Sequence, residues 1–203
     1  SAFERMFSKI LIANRGDIAL RVVSACRELG IRTSVAHSQL DADSLPVQLA
    51  DEAVCIGPAS PAQSYLNVAA IVTAATMVGA DAVHPGYGFL SESVALAEAC
   101  KAAGVAFIGP SPDVLRLLGD KARARCVMLA AGLPIVPGTD SFDTQDEGIR
   151  LADTLGFPLL IKATAGGGGR GLRVVRTGSD LDPGLATARR EAVTAFGDGR
   201  LYL

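Results

Sequence analysis

Lys162 ends the apolar run Pro158-Leu159-Leu160-Ile161 and stands just before Ala165-Gly166-Gly167-Gly168-Gly169-Arg170-Gly171. A lysine at the end of a buried strand must reach water or an anion, because an unpaired buried ammonium is very costly. A nucleotide phosphate satisfies it, and so does a stem that snorkels to the surface. Glycine is entropically expensive to order, so such a run calls for a reason. One reason is close approach of backbone N–H groups to phosphate oxygens, which any Cβ would obstruct. A loose hairpin tip is the alternative, and the neighbouring lysine favours phosphate. The run matches G-x-G-x-x-G from Gly166 to Gly171, but a strand pattern follows it where a dinucleotide site needs a helix. A glycine hairpin between strands suits a flap that closes over a nucleotide, as in kinases. Lys121, after Gly119-Asp120 at a helix start, is by itself an ordinary solvated lysine. With Lys162 and the flap it makes a cationic pocket for polyphosphate.

The stretch His84-Pro85-Gly86-Tyr87-Gly88-Phe89-Leu90-Ser91-Glu92 follows a predicted strand. Ligands of open α/β sheets gather at the carboxyl ends of strands. Gly86 and Gly88 free a turn that exposes Tyr87. A purely structural turn, with Ser91 as a helix cap, fits the same residues equally well. His84 reads more readily as a hydrogen-bonded core histidine than as a catalyst.

These residues need elements to hold them. Ile10 to Ala13 reads as a buried strand, Ile18 to Leu29 as a helix stopped by Gly30, and Thr33 to His37 as a second strand. Glu52 to Ile56 (strand), Val68 to Val78 (helix), Ala82 to His84 (strand), Ser91 to Ala103 (helix) and Val105 to Ile108 (strand) continue the alternation. It predicts a parallel sheet covered on both faces. Residues 1–118 form this first domain, and 119–134 a helical connector broken near Gly119. Residues 135–203 form a second domain with another rhythm. There, Thr144 to Leu155 is a helix, Pro158 to Lys162 and Leu172 to Val175 pair as an antiparallel hairpin, and Ser179 to Phe196 is a helix with Pro183 in its first turn. Leu201 to Leu203 starts another strand, whose far edge is expected to be unpaired.

Of the 203 residues, 49% are hydrophobic and 20% charged, the profile of a soluble globular protein with a substantial core. The net charge of −2 comes with scattered Lys and Arg and no basic patch, which argues against a nucleic-acid partner. No apolar run is long enough to span a membrane. The four cysteines form no C-x-x-C pair and show no metal-ligand spacing. Cys26 and Cys100 fall on apolar helical patterns as buried thiols, consistent with a reducing compartment.

Taken together, Lys9 to Ala19, Asp51 to Gly57, Ser64-Tyr65-Leu66-Asn67, His84 to Glu92, Phe107-Ile108-Gly109-Pro110, Gly119-Asp120-Lys121 and Pro158 to Val175 resemble, in order, the biotin carboxylase family. The resemblance runs from Phe7 over nearly the whole chain. It implies an α/β fold: a parallel-sheet, Rossmann-like pre-ATP-grasp domain followed by the first part of an ATP-grasp domain, incomplete at its C-terminal end. It implies use of MgATP to activate bicarbonate and carboxylation of biotin carried on a carrier protein. By position, Lys121 and Lys162 match the family's ATP-binding lysines, and Gly166, Gly167, Gly168 and Gly169 match its flap. Tyr87, Gly88 and Glu92 match residues near biotin and bicarbonate. The magnesium ligands, the catalytic lysine and glutamate, and the arginines for bicarbonate and biotin match positions beyond Leu203. No catalytic or metal residue is therefore assigned within the chain, and these residues alone are expected to be inactive. Ala165 departs from a loop that is often all glycine.

The resemblance also implies a biotin carboxyl carrier protein or domain, a carboxyltransferase, a homodimer, a cytoplasmic location and a role such as that of acetyl-CoA carboxylase in fatty acid biosynthesis. The competing readings are another ATP-grasp ligase, such as carbamoyl-phosphate synthetase, and a non-catalytic dimerisation or binding fragment.

Overall fold

A computed structural model of the chain describes residues 6–165 and 171–203. They fall into two compact units, the first reaching Arg116 and the second covering Leu117–Leu203.

In the first unit, β1 (Lys9–Ile12), α1 (Gly16–Glu28), β2 (Arg32–Ser38), the short α2 (Leu45–Leu49), β3 (Glu52–Gly57), α3 (Val68–Met77), β4 (Ala82–His84), α4 (Val94–Ala102) and β5 (Ala106–Phe107) follow one another. The sheet order is β3-β2-β1-β4-β5, and every pairing is parallel. Successive side chains of a strand point to opposite faces, and β1 shows what that does. Ile10 and Ile12 pack with Ala19, Val23 and Cys26 of α1. Leu11 packs on the other face with Ile71 of α3 and Leu96 and Cys100 of α4. Burying each large aliphatic chain contributes about 1.5–3 kcal/mol. The continuous apolar pattern of β1 therefore reflects a strand covered on both sides, as expected.

Side-chain caps set two helix starts. Asn67 accepts from the Ala70 N–H at 3.1 Å, and Ser93 accepts from the Leu96 N–H at 3.2 Å. Ser93, not Ser91, is thus the cap of α4. The Ser91 N–H instead donates to Gly88 O at 2.9 Å, extending the turn by two residues before the helix begins.

The boundary between units falls within α5 (Pro112–Gly119). The second unit continues with α6 (Lys121–Ala130), α7 (Gln145–Leu155), β6 (Leu159–Ala163), β7 (Arg173–Val175), α8 (Gly178–Phe196) and β8 (Leu201–Tyr202). Its sheet has the order β7-β6-β8 with both pairings antiparallel, so the predicted hairpin forms. One face buries Leu159, Ile161 and Ala163 against Leu181, Leu185 and Ala188 of α8.

Two expectations fail here. Helix α8 starts at Gly178, which puts Pro183 in the second turn, where its missing N–H forgoes a helix bond. Burial of Leu181 and Leu185 on either side holds the helix through it. The outer edge of β8 is also not bare. Phe142 and Leu201 exchange backbone bonds of 2.8 and 3.2 Å, and the Thr139 N–H donates to Leu203 O at 2.9 Å. The chain before α7 thus satisfies backbone groups that would otherwise be open.

Candidate functional site

In the second unit, the face of the sheet turned away from α8 opens onto a cavity of about 1020 Å³. The strand period places its residues. Leu160 pairs with Val174 and Lys162 with Tyr202, so all four share the face opposite Ile161. The Lys162 ammonium lies 5.6 Å from the centre of the Tyr202 ring. From the other side, Asp120 caps α6 by accepting the Arg123 N–H at 3.0 Å. That cap makes Lys121 the first helical residue, and Lys121 lines the same cavity. Arg125, one helical turn on, lines it too and donates to Val136 O at 2.7 Å.

Lys121 and Lys162, far apart in sequence, are therefore brought together. Among the described residues no Asp or Glu side chain lines the cavity, and its remaining walls are largely apolar. Positive charge beside apolar surface suits a ligand with an anionic part and a flat apolar part. The loop residues Gly166, Gly167, Gly168 and Gly169 lie outside the described residues. Among the described residues, no group of three or more His, Cys, Asp or Glu side chains is placed to hold a metal ion.

Tyr87, Gly88 and Glu92 belong to the first unit, on the turn after β4. Tyr87 is 67% exposed, and Glu92 is also exposed. Gly88 takes φ +69°, with nothing within 4 Å of where a Cβ would stand. Gly86 differs. At φ +65° its absent Cβ leaves room for Ile18 Cγ2 and Asn14 Nδ2, which would otherwise lie 2.6 and 2.7 Å away. His84 is a half-buried structural histidine. Its Nδ1 accepts the Gly86 N–H at 3.0 Å, and burial pushes its pKa below the ordinary imidazole value.

Sequence reasoning did not assign Arg125 or Tyr202 to the cavity. The four-residue step from Lys121 to Arg125 on a helix was the signal for the first. The second needed the strand register. It also left unassigned a polar group at the carboxyl edge of the first sheet. There, Arg15 pairs with Asp41 at 2.7 Å, and the Tyr65 hydroxyl donates to Asp41 at 2.8 Å.

A sequence-family model described as the biotin carboxylase N-terminal domain matches residues 6–115. One described as the ATP-binding domain of the carbamoyl-phosphate synthase L chain matches residues 120–203. Biotin carboxylase 1 of Bacillus subtilis is 51% identical over 199 residues, covering 98% of this chain and 44% of that protein. The mitochondrial pyruvate carboxylase of Mus musculus is 50% identical over 197 residues, covering 96% of this chain and 17% of that protein.

Among solved structures, the biotin carboxylase domain dimer of Hydrogenobacter thermophilus 2-oxoglutarate carboxylase, in complex with MgADP, ADP and bicarbonate, superposes with a TM-score of 0.92. It is 48% identical, over 98% of this chain and 44% of that one. The β,γ-ATP complex of Campylobacter jejuni biotin carboxylase gives a TM-score of 0.93 at 45% identity, over 97% of this chain and 44% of that one. The chain thus spans 44% of the length of the Bacillus subtilis biotin carboxylase it matches.

Proposed function

The chain belongs to the biotin carboxylase family, and from that premise we propose that it supplies the first nucleotide-gripping elements of an ATP-dependent carbon–nitrogen ligase. The observation that carries this reading is the meeting of Lys121 and Lys162 in one cavity whose other described walls are largely apolar. Two ammonium groups there hold the phosphates of ATP, and the face formed by Leu160, Val174 and Tyr202 receives the base. Gly166 to Gly169 close over the nucleotide. The complete enzyme uses MgATP to activate bicarbonate, then carboxylates biotin on its carrier, with Tyr87, Gly88 and Glu92 on the biotin and bicarbonate side. The described residues offer no cluster that fits magnesium, so holding the metal is not assigned to them.

The second unit alone fits carbamoyl-phosphate synthase chemistry as well, since its family model carries that description. The first unit favours biotin carboxylation, because its match is to biotin carboxylase. Of the Hydrogenobacter relative, a dimer is described; a homodimer is the assembly we assign to the enzyme. A biotin carboxyl carrier protein and a carboxyltransferase are its partners. The four unpaired thiols support a cytoplasmic site, and no described helix is long and apolar enough to cross a membrane. Acetyl-CoA carboxylase of fatty acid biosynthesis is one setting for this chemistry; the pyruvate and 2-oxoglutarate carboxylases among the relatives are others.

The test is bicarbonate-dependent ATP cleavage by the complete enzyme. Stimulation by free biotin and not by ammonia supports the reading. Stimulation by ammonia alone overturns it. Residues 1–203 by themselves are expected to show no bicarbonate-dependent turnover.

A further inference from the structure

The turn after β4 is held at both ends by side chains that do not belong to it. Asn14, two residues beyond β1 and wholly buried, donates through Nδ2 to Pro85 O at 2.7 Å and to Tyr87 O at 2.9 Å. Its Oδ1 accepts the Arg15 N–H at 2.8 Å. A primary amide supplies two donors and an acceptor from one short side chain, which a carboxylate cannot do. At the other end, Phe89 takes φ +39°, a conformation that bulky residues rarely adopt. It stacks on the buried Tyr65, with ring centroids 5.0 Å apart and planes 15° from parallel. The Tyr65 hydroxyl is itself fixed, accepting the Ser38 N–H at 3.0 Å and donating to Asp41 at 2.8 Å.

Between these anchors the turn faces solvent, with Tyr87 67% exposed. A turn that only joined β4 to α4 would need neither a buried amide on its carbonyls nor a strained aromatic residue clamped by a second ring. Rigid ends around an open middle are the arrangement of a binding element shaped before its ligand arrives.

We propose that Asn14 and Tyr65 are positioning residues for the Tyr87–Gly88 segment. They hold it in the shape that receives the carboxyl acceptor, the ureido group of biotin. Carboxylation of biotin depends on them, and cleavage of ATP without an acceptor does not. This inference rests on the placement of Tyr87 and Gly88 on the biotin and bicarbonate side in the proposed function, and assigns the shape of the segment to the biotin step and not to bicarbonate activation.

The experiment uses Asn14→Asp and Tyr65→Phe in the complete enzyme with free biotin. The first keeps the size of the side chain and removes both donors. The second keeps the ring stack and removes the hydroxyl. A displacement of about 1 Å at a reacting group costs on the order of 100-fold. We expect kcat/KM for biotin to fall about 10- to 100-fold, with biotin-independent ATP cleavage and the KM for ATP unchanged. Amide exchange at residues 86–89 should quicken, while that of β1 and β4 stays slow. A parallel loss of both activities, or a change in neither, overturns the inference. Should Asn14→Asp fail to fold, Tyr65→Phe decides by the same two readouts. If the unaltered enzyme is not stimulated by biotin, the functional reading fails. If it is stimulated and the variants lose both activities together, only the positioning role fails.

Discussion

Lys162 and Tyr202 face each other across paired antiparallel strands, the ammonium 5.6 Å from the ring centroid. Such a contact contributes about 0.5–2 kcal/mol, depending on how much water is excluded. It steers the lysine without neutralising it. A carboxylate in place of the ring would offset the charge, whereas the ring carries no charge to offset it, so the ammonium keeps its full charge for an incoming anion.

Replacing Lys162 with alanine in the complete enzyme should therefore raise the KM for ATP. Hydrogen bonds to charged groups contribute about 1.5–3 kcal/mol, so a roughly 10- to 100-fold increase is expected. Steady-state kinetics with varied ATP read it. The loss of stability should not exceed what the Tyr202 contact contributes, about 0.5–2 kcal/mol, because Lys162 is only half-buried and lines an open cavity.

Gly86→Ala and Gly88→Ala should differ. Both positions have positive φ, which costs an alanine about 1–2 kcal/mol. At Gly86 the new methyl also meets Ile18 and Asn14 inside 3 Å, adding about 1–3 kcal/mol of overpacking. At Gly88 it meets nothing within 4 Å. Urea unfolding of the two variants should rank Gly86→Ala as the more damaging, and equal losses would contradict the packing described around Asn14.

Acid should loosen the same turn through His84. Burial lowers its pKa in the folded protein, and protonation of Nδ1 ends its bond from the Gly86 N–H. The unfolded imidazole, near pH 6.5, takes up its proton first as pH falls. The stability that neutral His84 contributes is thus complete above about pH 6.5 and is lost progressively below it. In His84→Asn the side-chain oxygen can accept the same N–H and does not titrate. Its unfolding midpoint should lose the part of the slope between about pH 5 and 7 that the parent shows.

Ile161→Ala should cost about 2–5 kcal/mol, because Ile161 is fully buried between α8 and its own sheet. Guanidinium or urea unfolding followed by circular dichroism measures it. A loss below about 1 kcal/mol would mean that this face of the sheet is less tightly packed than described.

The alternation of apolar runs and helices made the parallel sheet legible, because strands buried on both faces carry few polar residues. Its order was not legible, since β1, β2 and β4 all read as similar short apolar runs. Lys121 and Lys162 were recognisable one at a time from their neighbours. That they share a cavity follows from the register of β6 and the cap at Asp120, which no local pattern encodes. Asn14 reaches carbonyls 71 and 73 residues away, so nothing in its own surroundings announced the contact. Ser91 read as the cap of the helix after the turn, whereas the bond from the Leu96 N–H places the cap at Ser93, two residues on.

The bonds that Thr139 and Phe142 make along the outside of β8 also bear on self-association. Exposed strand margins are templates on which other chains add and fibrils grow. With Phe142 bonded to Leu201 in both directions and Thr139 holding Leu203 through its own N–H and hydroxyl, that margin is already occupied. Destroying the Thr139 and Phe142 contacts would therefore be expected to promote clumping at high concentration even where folding itself survives.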